Sequence, residues 1–272
     1  MPGNLSSPLT VSLAEKYLAD RGLPLPIAQV NGVEIDLHPD RAKIEERLGA
    51  GCIAVWTFAA EVLWFPLYNK KRERVSWLAR GLPTIGGNPK FVCPTKSSGL
   101  PTGLPYIPIR VWHEIGKPSK PINSLVITEG PVKSLILVEA GTIAIGLNGV
   151  FGAHEEAPDK KLVLRNDLIE LGMRGRKVFL CFDSDASLNP EVRRAEIRLW
   201  FLLRAAGAEV FRLTSWDESD GRGVDDYLVN ATKEDHSMSR ESIVAMLLKD
   251  AQPVLVQREM ENRRFVVSYS KH

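Results

Sequence analysis

What the chain has little of narrows its chemistry first. Its three cysteines, Cys52, Cys93 and Cys181, stand far apart and form no CxxC pair. An odd, scattered set argues against a disulfide framework and cannot by itself build a zinc site, so a reducing, cytoplasmic setting is the simple reading. No apolar run approaches the ~18–20 residues that a membrane span needs. Residues 1–10 lack the basic-then-apolar order of a secretory signal. No GxxxxGK[ST] loop and no Cys/His module occur, so neither nucleoside-triphosphate-driven motion nor a zinc ribbon is expected of this polypeptide.

Acid is also scarce in one stretch. Residues 66–112 hold eight bases (Lys70, Lys71, Arg72, Arg74, Arg80, Lys90, Lys96, Arg110) and one acid, Glu73, while the remainder holds 27 bases against 32 acids. The formal charge of +2 hides this division. One surface is expected to meet a polyanion and another to collect carboxylates; chance clustering on a solvated loop is the bland alternative. A length of 272 residues, 44% hydrophobic and 25% charged, suits one large globular domain or a core with a smaller partner.

What is present falls into two textures. Residues 9–21 read as an amphipathic helix stopped by Gly22 and Pro24, and residues 40–48 as a second helix stopped by Gly49. The runs at 52–58 and 61–68 read as strands. Gly and Pro are dense over 80–108, which predicts loop and short extended pieces, and so long an irregular segment is often functional. Beyond residue 121, apolar strand-like runs (124–128, 142–147, 177–182, 208–213) alternate with helical stretches (131–140, 160–172, 190–206). That alternation implies right-handed crossovers and a mainly parallel sheet. From Asp225 the chain reads as helical up to Pro253.

Two of the buried-strand patterns run into acids. One enters Glu129-Gly130 and the other Asp183-Ser184-Asp185, 54 residues after Glu129. Ligands of open parallel sheets bind beyond the carboxyl ends of the strands. If these strands are neighbours, three carboxylates share one crevice and repel one another unless a cation lies among them. Magnesium, a hard ion with oxygen ligands, is the natural occupant. Gly130 would allow a tight turn and a close approach of backbone to ligand. Taken singly, each acid could equally be a helix cap or a solvated loop residue.

The segments VITEGPVKSLILVEAG and VFLCFDSDASLNPEVRRA, with the later GVDDYL, resemble the Toprim signature of a strand-EG-helix unit followed by a strand-DxD unit. Toprim domains occur in DnaG-type primases, phage helicase-primases, type IA and II topoisomerases, OLD-family nucleases and recombination mediators. The similarity is greatest to primase-like domains of phages, plasmids and integrated elements, and covers roughly residues 122–230. It implies a Rossmann-like Toprim α/β fold, with a mainly parallel central sheet and flanking helices, over 121–235. A smaller basic α+β subdomain (1–120) would precede it and a helical extension (236–272) would follow.

The resemblance further implies catalytic roles for Glu129, Asp183 and Asp185, with Mg2+ or Mn2+ held by these three and by Asp225 (or Asp226). Where DnaG-type primases carry an acid, four residues after the glutamate, this chain has Lys133, which could contact phosphate or compensate the acid cluster. WFPLYNKKRERVSWLARG and NPKFVCP are similar to the basic subdomain of primase cores. Lys70, Lys71, Arg72, Arg74, Arg80, Lys90 and Lys133 are therefore expected at nucleic-acid or nucleotide phosphates. Trp64, Tyr68, Trp77 and Phe91 could stack on bases or pack in a core. The function so implied is magnesium-dependent primer synthesis on single-stranded DNA in the replication of a phage or mobile element. Single-stranded DNA and nucleotides would be its partners, with room for a replicative helicase or other replication protein and no membrane. Two alternatives remain open: a metal-dependent Toprim nuclease, and a non-catalytic nucleic-acid-binding replication factor on a Toprim scaffold.

Overall fold

The computed structural model describes residues 11–50, 52, 59–84, 89–115, 124–184, 189–213, 216–259 and 264–268. The strand expected over 52–58 lies, Cys52 apart, outside the described residues.

Helix α1 (Leu13–Asp20) begins at a reciprocal cap: Ser12 Oγ accepts the Glu15 N–H at 3.1 Å and Glu15 Oε2 accepts the Ser12 N–H at 3.3 Å. Gly22, at φ 70°, turns the chain out of it. A short helix, α2 (Leu25–Val30), follows where only a break was expected. Pro24 caps it and Pro26 sits in its first turn, where a missing N–H costs nothing. Strand β1 (Glu34–Asp36) leads to α3 (Arg41–Leu48), the expected second helix, which Asp40 caps. Strands β2 (Glu61–Tyr68) and β3 (Arg74–Leu82) form a hairpin, and the antiparallel order is β1-β2-β3. Its turn is held by the Asn69 side chain, which accepts the Lys71 and Glu73 N–H groups at 2.9 and 3.1 Å.

Both faces of β2 are covered. Leu63, Phe65 and Leu67 belong to the main core, while Val62 and Trp64 join Trp77, Ile44 and Leu48 in a smaller one under α3. The period of two along a strand puts Trp64 and Trp77 on that inner face, 0% and 5% exposed. They are core residues and cannot stack on bases.

After an irregular stretch and α4 (Ile109–Ile115) comes the main sheet. Its chain order is β4 (Ser124–Glu129), α5 (Pro131–Glu139), β5 (Ala144–Leu147), the hairpin of β6 (His154–Glu156) and β7 (Leu162–Leu164), α6 (Asn166–Ile169), β8 (Lys177–Cys181), α7 (Pro190–Ala205) and β9 (Glu209–Arg212). Then follow α8 (Val224–Glu234), α9 (Arg240–Asp250), β10 (Gln252–Pro253) and the hairpin β11 (Leu255–Glu259) and β12 (Arg264–Ser268). The sheet order is β10-β9-β8-β4-β5, parallel except for β10. The fold is thus mixed α/β with a mainly parallel central sheet and flanking helices, as the sequence implies.

Two expectations are corrected. Residues 160–172 are helical only over α6. Leu164, Leu168 and Leu171 are buried at helical spacing, yet the first lies in β7. The tail expected as a helical extension over 236–272 is helical in α9 and extended from Gln252, where it edges the main sheet beside β9.

The irregular stretch before α4 has a structural task. Tyr106, 1% exposed, bridges Gly146 on the outer side of β5, with N–H···O distances of 2.7 and 2.9 Å in the two directions. It covers the edge of the sheet. One continuous apolar core runs from Ala14 and Leu18 through Phe65 and Tyr106 to the parallel sheet.

Candidate active site

The strand order explains why two distant acids meet. Starting from β4, the chain adds β5 on one side and then β8 on the other, so the direction of winding reverses between β4 and β8. That reversal opens a crevice at the carboxyl ends of these two strands. Thr128 pairs with Cys181 across them, so Glu129 and Asp183 leave the sheet side by side. Gly130, at φ 75°, makes the turn from β4 into α5. Gly146 lies against that turn so closely that a Cβ there would be 2.2 Å from the Gly130 carbonyl oxygen.

A cleft of about 460 Å³ opens at this point. One wall carries Glu129, Lys133, Asp183, Asp225 and Asp226; the facing wall carries Tyr17, Arg21, Arg80, Lys90 and Phe91 from the N-terminal part. The Lys133 ammonium donates to Asp183 Oδ1, and Arg222 Nε lies 3.7 Å from Asp183 Oδ2. Burial pulls the Lys133 pKa down, but Asp183, Asp225 and Glu129 outweigh it and hold the group above the ordinary lysine value. Asp225, 3% exposed, pairs through Oδ2 with Arg21 Nε at 3.2 Å, while its Oδ1 has no hydrogen-bond partner. Burial raises its pKa against the opposing charge of Lys133; Asp226 raises it further and Arg21 opposes. Cys181, buried at the end of β8, is pushed by burial to about 12 and stays a thiol.

The facing wall is a ladder of cations and rings. Arg21 and Arg80 lie 4.3 and 4.2 Å from the centroid of Tyr17, and Arg80 is also 5.0 Å from that of Phe91. Arg80 is 6% exposed, donates to Thr84 Oγ1 at 3.1 Å and keeps a buried Nε without a partner. Stacking between rings holds a guanidinium in place while its remaining N–H groups stay available.

Of the residues singled out from sequence, Glu129, Lys133, Asp183, Asp225, Arg80 and Lys90 therefore meet in one cleft. Asp185 lies outside the described residues. Lys70, Lys71, Arg72 and Arg74 do not line the cleft; they are exposed on and beside the β2–β3 turn. Lys70 meets Glu170 at 2.9 Å, and Arg74 lies 3.9 Å from Glu34 and 4.5 Å from the Trp77 ring centroid. Tyr17, Arg21 and Arg222 were not foreseen. The first two stand four apart, Tyr17 in α1 and Arg21 at its C-cap, a spacing visible in the sequence with nothing local to say what it faces.

Whether the acids suit a divalent ion is a question of donor chemistry. Glu129 and Asp183 offer hard carboxylate oxygens at an open cleft, and Asp225 an unpartnered one. Magnesium is commonly bound through one or two carboxylates, waters and substrate phosphates. Among the described residues no group of three or more His, Cys, Asp or Glu side chains is placed to hold a metal ion, and binding through one or two carboxylates does not require one. The donors fit.

A family model described as a domain of unknown function (DUF3854) matches residues 112–235, the stretch from α4 to just beyond α8. No curated protein matches. Among solved structures, the zinc-binding and RNA polymerase domains of the Aquifex aeolicus primase are similar over 90% of this chain and 57% of that one, at 15% identity and a TM-score of 0.57. A DnaG primase catalytic domain bound to single-stranded DNA is similar over 92% and 74%, at 18% identity and a TM-score of 0.58. The E. coli primase catalytic core is similar over 88% and 73%, at 17% identity and a TM-score of 0.57. The chain thus spans little more than half of the Aquifex structure and about three quarters of the other two. What it shares with them is the fold.

Proposed function

We propose that this chain is a primase-like nucleotidyltransferase with a Toprim catalytic unit over 121–235, which makes primers on single-stranded DNA. The observation that carries this reading is the two-walled cleft. Carboxylates at and beyond the ends of adjacent parallel strands share a cleft with arginine, lysine and aromatic side chains of α1, β3 and the segment after β3, in a fold shared with primase catalytic cores. Carboxylates suit a hard cation and proton transfer, cations suit phosphates, and rings suit bases.

Glu129 and Asp183, with Asp185 and Asp225, would hold magnesium or manganese. When bound, the ion offsets charge on phosphate oxygens. This chain's own groups do the remainder. Arg80, Lys90 and Arg222 hold the triphosphate. Glu129 takes the proton of the primer 3′-hydroxyl as its oxygen bonds to the α-phosphorus and pyrophosphate leaves. The basic β2–β3 turn supplies sequence-independent attraction for the template. The resemblance of its sequence motifs to primase-like domains of phages and plasmids motivates a place in replication of such an element, with a helicase as a separate polypeptide. No helix among the described residues is long and apolar enough to cross a membrane.

Incorporation of labelled nucleotides on single-stranded templates, with magnesium or manganese, tests the proposal. Glu129→Gln and Asp183→Asn should each lower it at least about a hundredfold, the scale of general acid–base and electrostatic contributions. Cleavage of DNA without nucleotides, lost in the same variants, would show a nuclease instead. DNA binding with neither activity would show a scaffold.

A further inference from the structure

We propose that Lys133 is a built-in cation of the acid cluster: its ammonium positions Asp183 beside Asp225 and sets, through its charge, how tightly a divalent ion binds there. This rests on reading the cleft as an ion-binding one. The ammonium donates directly to Asp183 and stands within electrostatic reach of Asp225 and Glu129. Two features mark the arrangement as built. Lys133 occupies the third position of α5, at a helix N-terminus, where the dipole disfavours a cation and an acid would be preferred. And the backbone makes way for it: a Cβ on Gly223 would come within 2.6 Å of Lys133 Cε and 2.4 Å of Asp225 Oδ1. The side chains of Lys133 and Asp183 are only 17% and 22% exposed, so solvent screens their pairing weakly.

Two consequences follow. The carboxylates stay together without any divalent ion, because their mutual repulsion is already offset. A divalent ion entering the cluster meets a like charge and binds more weakly than the acids alone would allow. Lys133 is a positioning residue in this scheme, acting through Asp183 and Asp225.

Mn2+ is the probe, with the free ion measured by electron paramagnetic resonance on the full chain. A neighbouring unit charge shifts an ionic equilibrium by about one to three powers of ten at such range. Lys133→Met should therefore bind Mn2+ about tenfold or more tightly than the wild type. Its melting temperature should fall in EDTA and recover with Mn2+. Adding Asp183→Asn to Lys133→Met should abolish the extra affinity and restore part of the ion-free stability, which no loss of packing would do. If Lys133→Met can be purified only with Mn2+ present, the proposal is supported. If it is insoluble with and without Mn2+, and the double variant is too, Lys133 packs and does no more, and the proposal falls. Equal or weaker Mn2+ binding in Lys133→Met also overturns it, and leaves the ion-binding reading of the cleft intact. Absence of Mn2+ binding in both proteins defeats that reading itself.

Discussion

Arg21, the C-cap of α1, reaches Asp225 on α8 at 3.2 Å and so ties the first described helix to the cleft's most buried acid. Arg21 also lies on the Tyr17 ring, which Arg80 covers from nearby. The pair joins the cationic wall to the acidic one and holds the cleft to its width. Arg21→Ala would leave a buried carboxylate short of a partner and should destabilise the protein by about 2–4 kcal/mol in denaturant titrations. Arg21→Ala with Asp225→Asn should cost less than the sum of the two single changes. Strict additivity would mean that the pair does not couple.

Gly146→Ala tests the turn that aims Glu129. The added methyl has no room beside the Gly130 carbonyl, so the turn or β5 must shift. A loss of about 3 kcal/mol or more is expected in thermal or chemical unfolding. Nucleotide incorporation should fall further than stability alone explains, since Glu129 is the residue next to the displaced turn.

For the β2–β3 turn the expected signature is ionic. Affinity for single-stranded DNA should fall steeply as salt rises. Replacing Lys70, Lys71 and Arg72 by Ala should flatten the log–log slope by about 0.7 for each phosphate no longer neutralised. Fluorescence anisotropy at several salt concentrations checks this; an unchanged slope removes the turn from the interface. Arg80→Ala, inside the cleft, should instead weaken nucleotide binding.

His154 sets a pH dependence away from the cleft. Burial lowers its pKa below the ordinary 6.5, and Arg198 and Arg165 lower it further. Arg198 Nη1 lies 3.4 Å from His154 Nε2; a guanidinium can only donate, so that nitrogen accepts and the ring is neutral. Below pH 6.5 the unfolded chain binds the proton more readily than the folded one, so stability must drop as pH falls through this window. Wild type should lose melting temperature relative to His154→Gln on going from pH 7.5 to about 5.5. Parallel curves for the two proteins would refute the assignment.

What was legible in the sequence was local. The strands ending at Glu129 and near Asp183 are short apolar runs, their following helices are stopped by Gly141 and Gly207, and the alternation of the two fixes a parallel sheet. Glu129 and Asp183 could be paired because an open sheet has a general rule for where its ligands lie. The facing wall was not legible. Tyr17 and Arg21 belong to a helix that reads as an ordinary amphipathic one, and only tertiary packing turns its polar edge toward Arg80 and Asp225. Trp64 and Trp77 stayed open between a core and a stacking role for a related reason: alternation says which residues share a face, not that α3 covers it. Lys133 was visible as an exception, but its pairing with Asp183 and the space left by Gly223 depend on three separate segments meeting.

The interactions of α1 also bear on how the protein comes into being. Arg21 waits for Asp225, and the Gly22 carbonyl for Arg240, 218 residues further along the chain. At 5–20 residues per second a ribosome needs on the order of ten to forty seconds to deliver that partner. Until near the end of that interval Arg21 exists without the carboxylate it will pair with. The ends of β4 and β8, with Glu129 and Asp183, and the N-terminal residues that line the cleft all emerge before Asp225 does. The cleft is therefore completed late in synthesis, when α8 brings Asp225 to Arg21, although α1 itself is already anchored through Glu61 on β2.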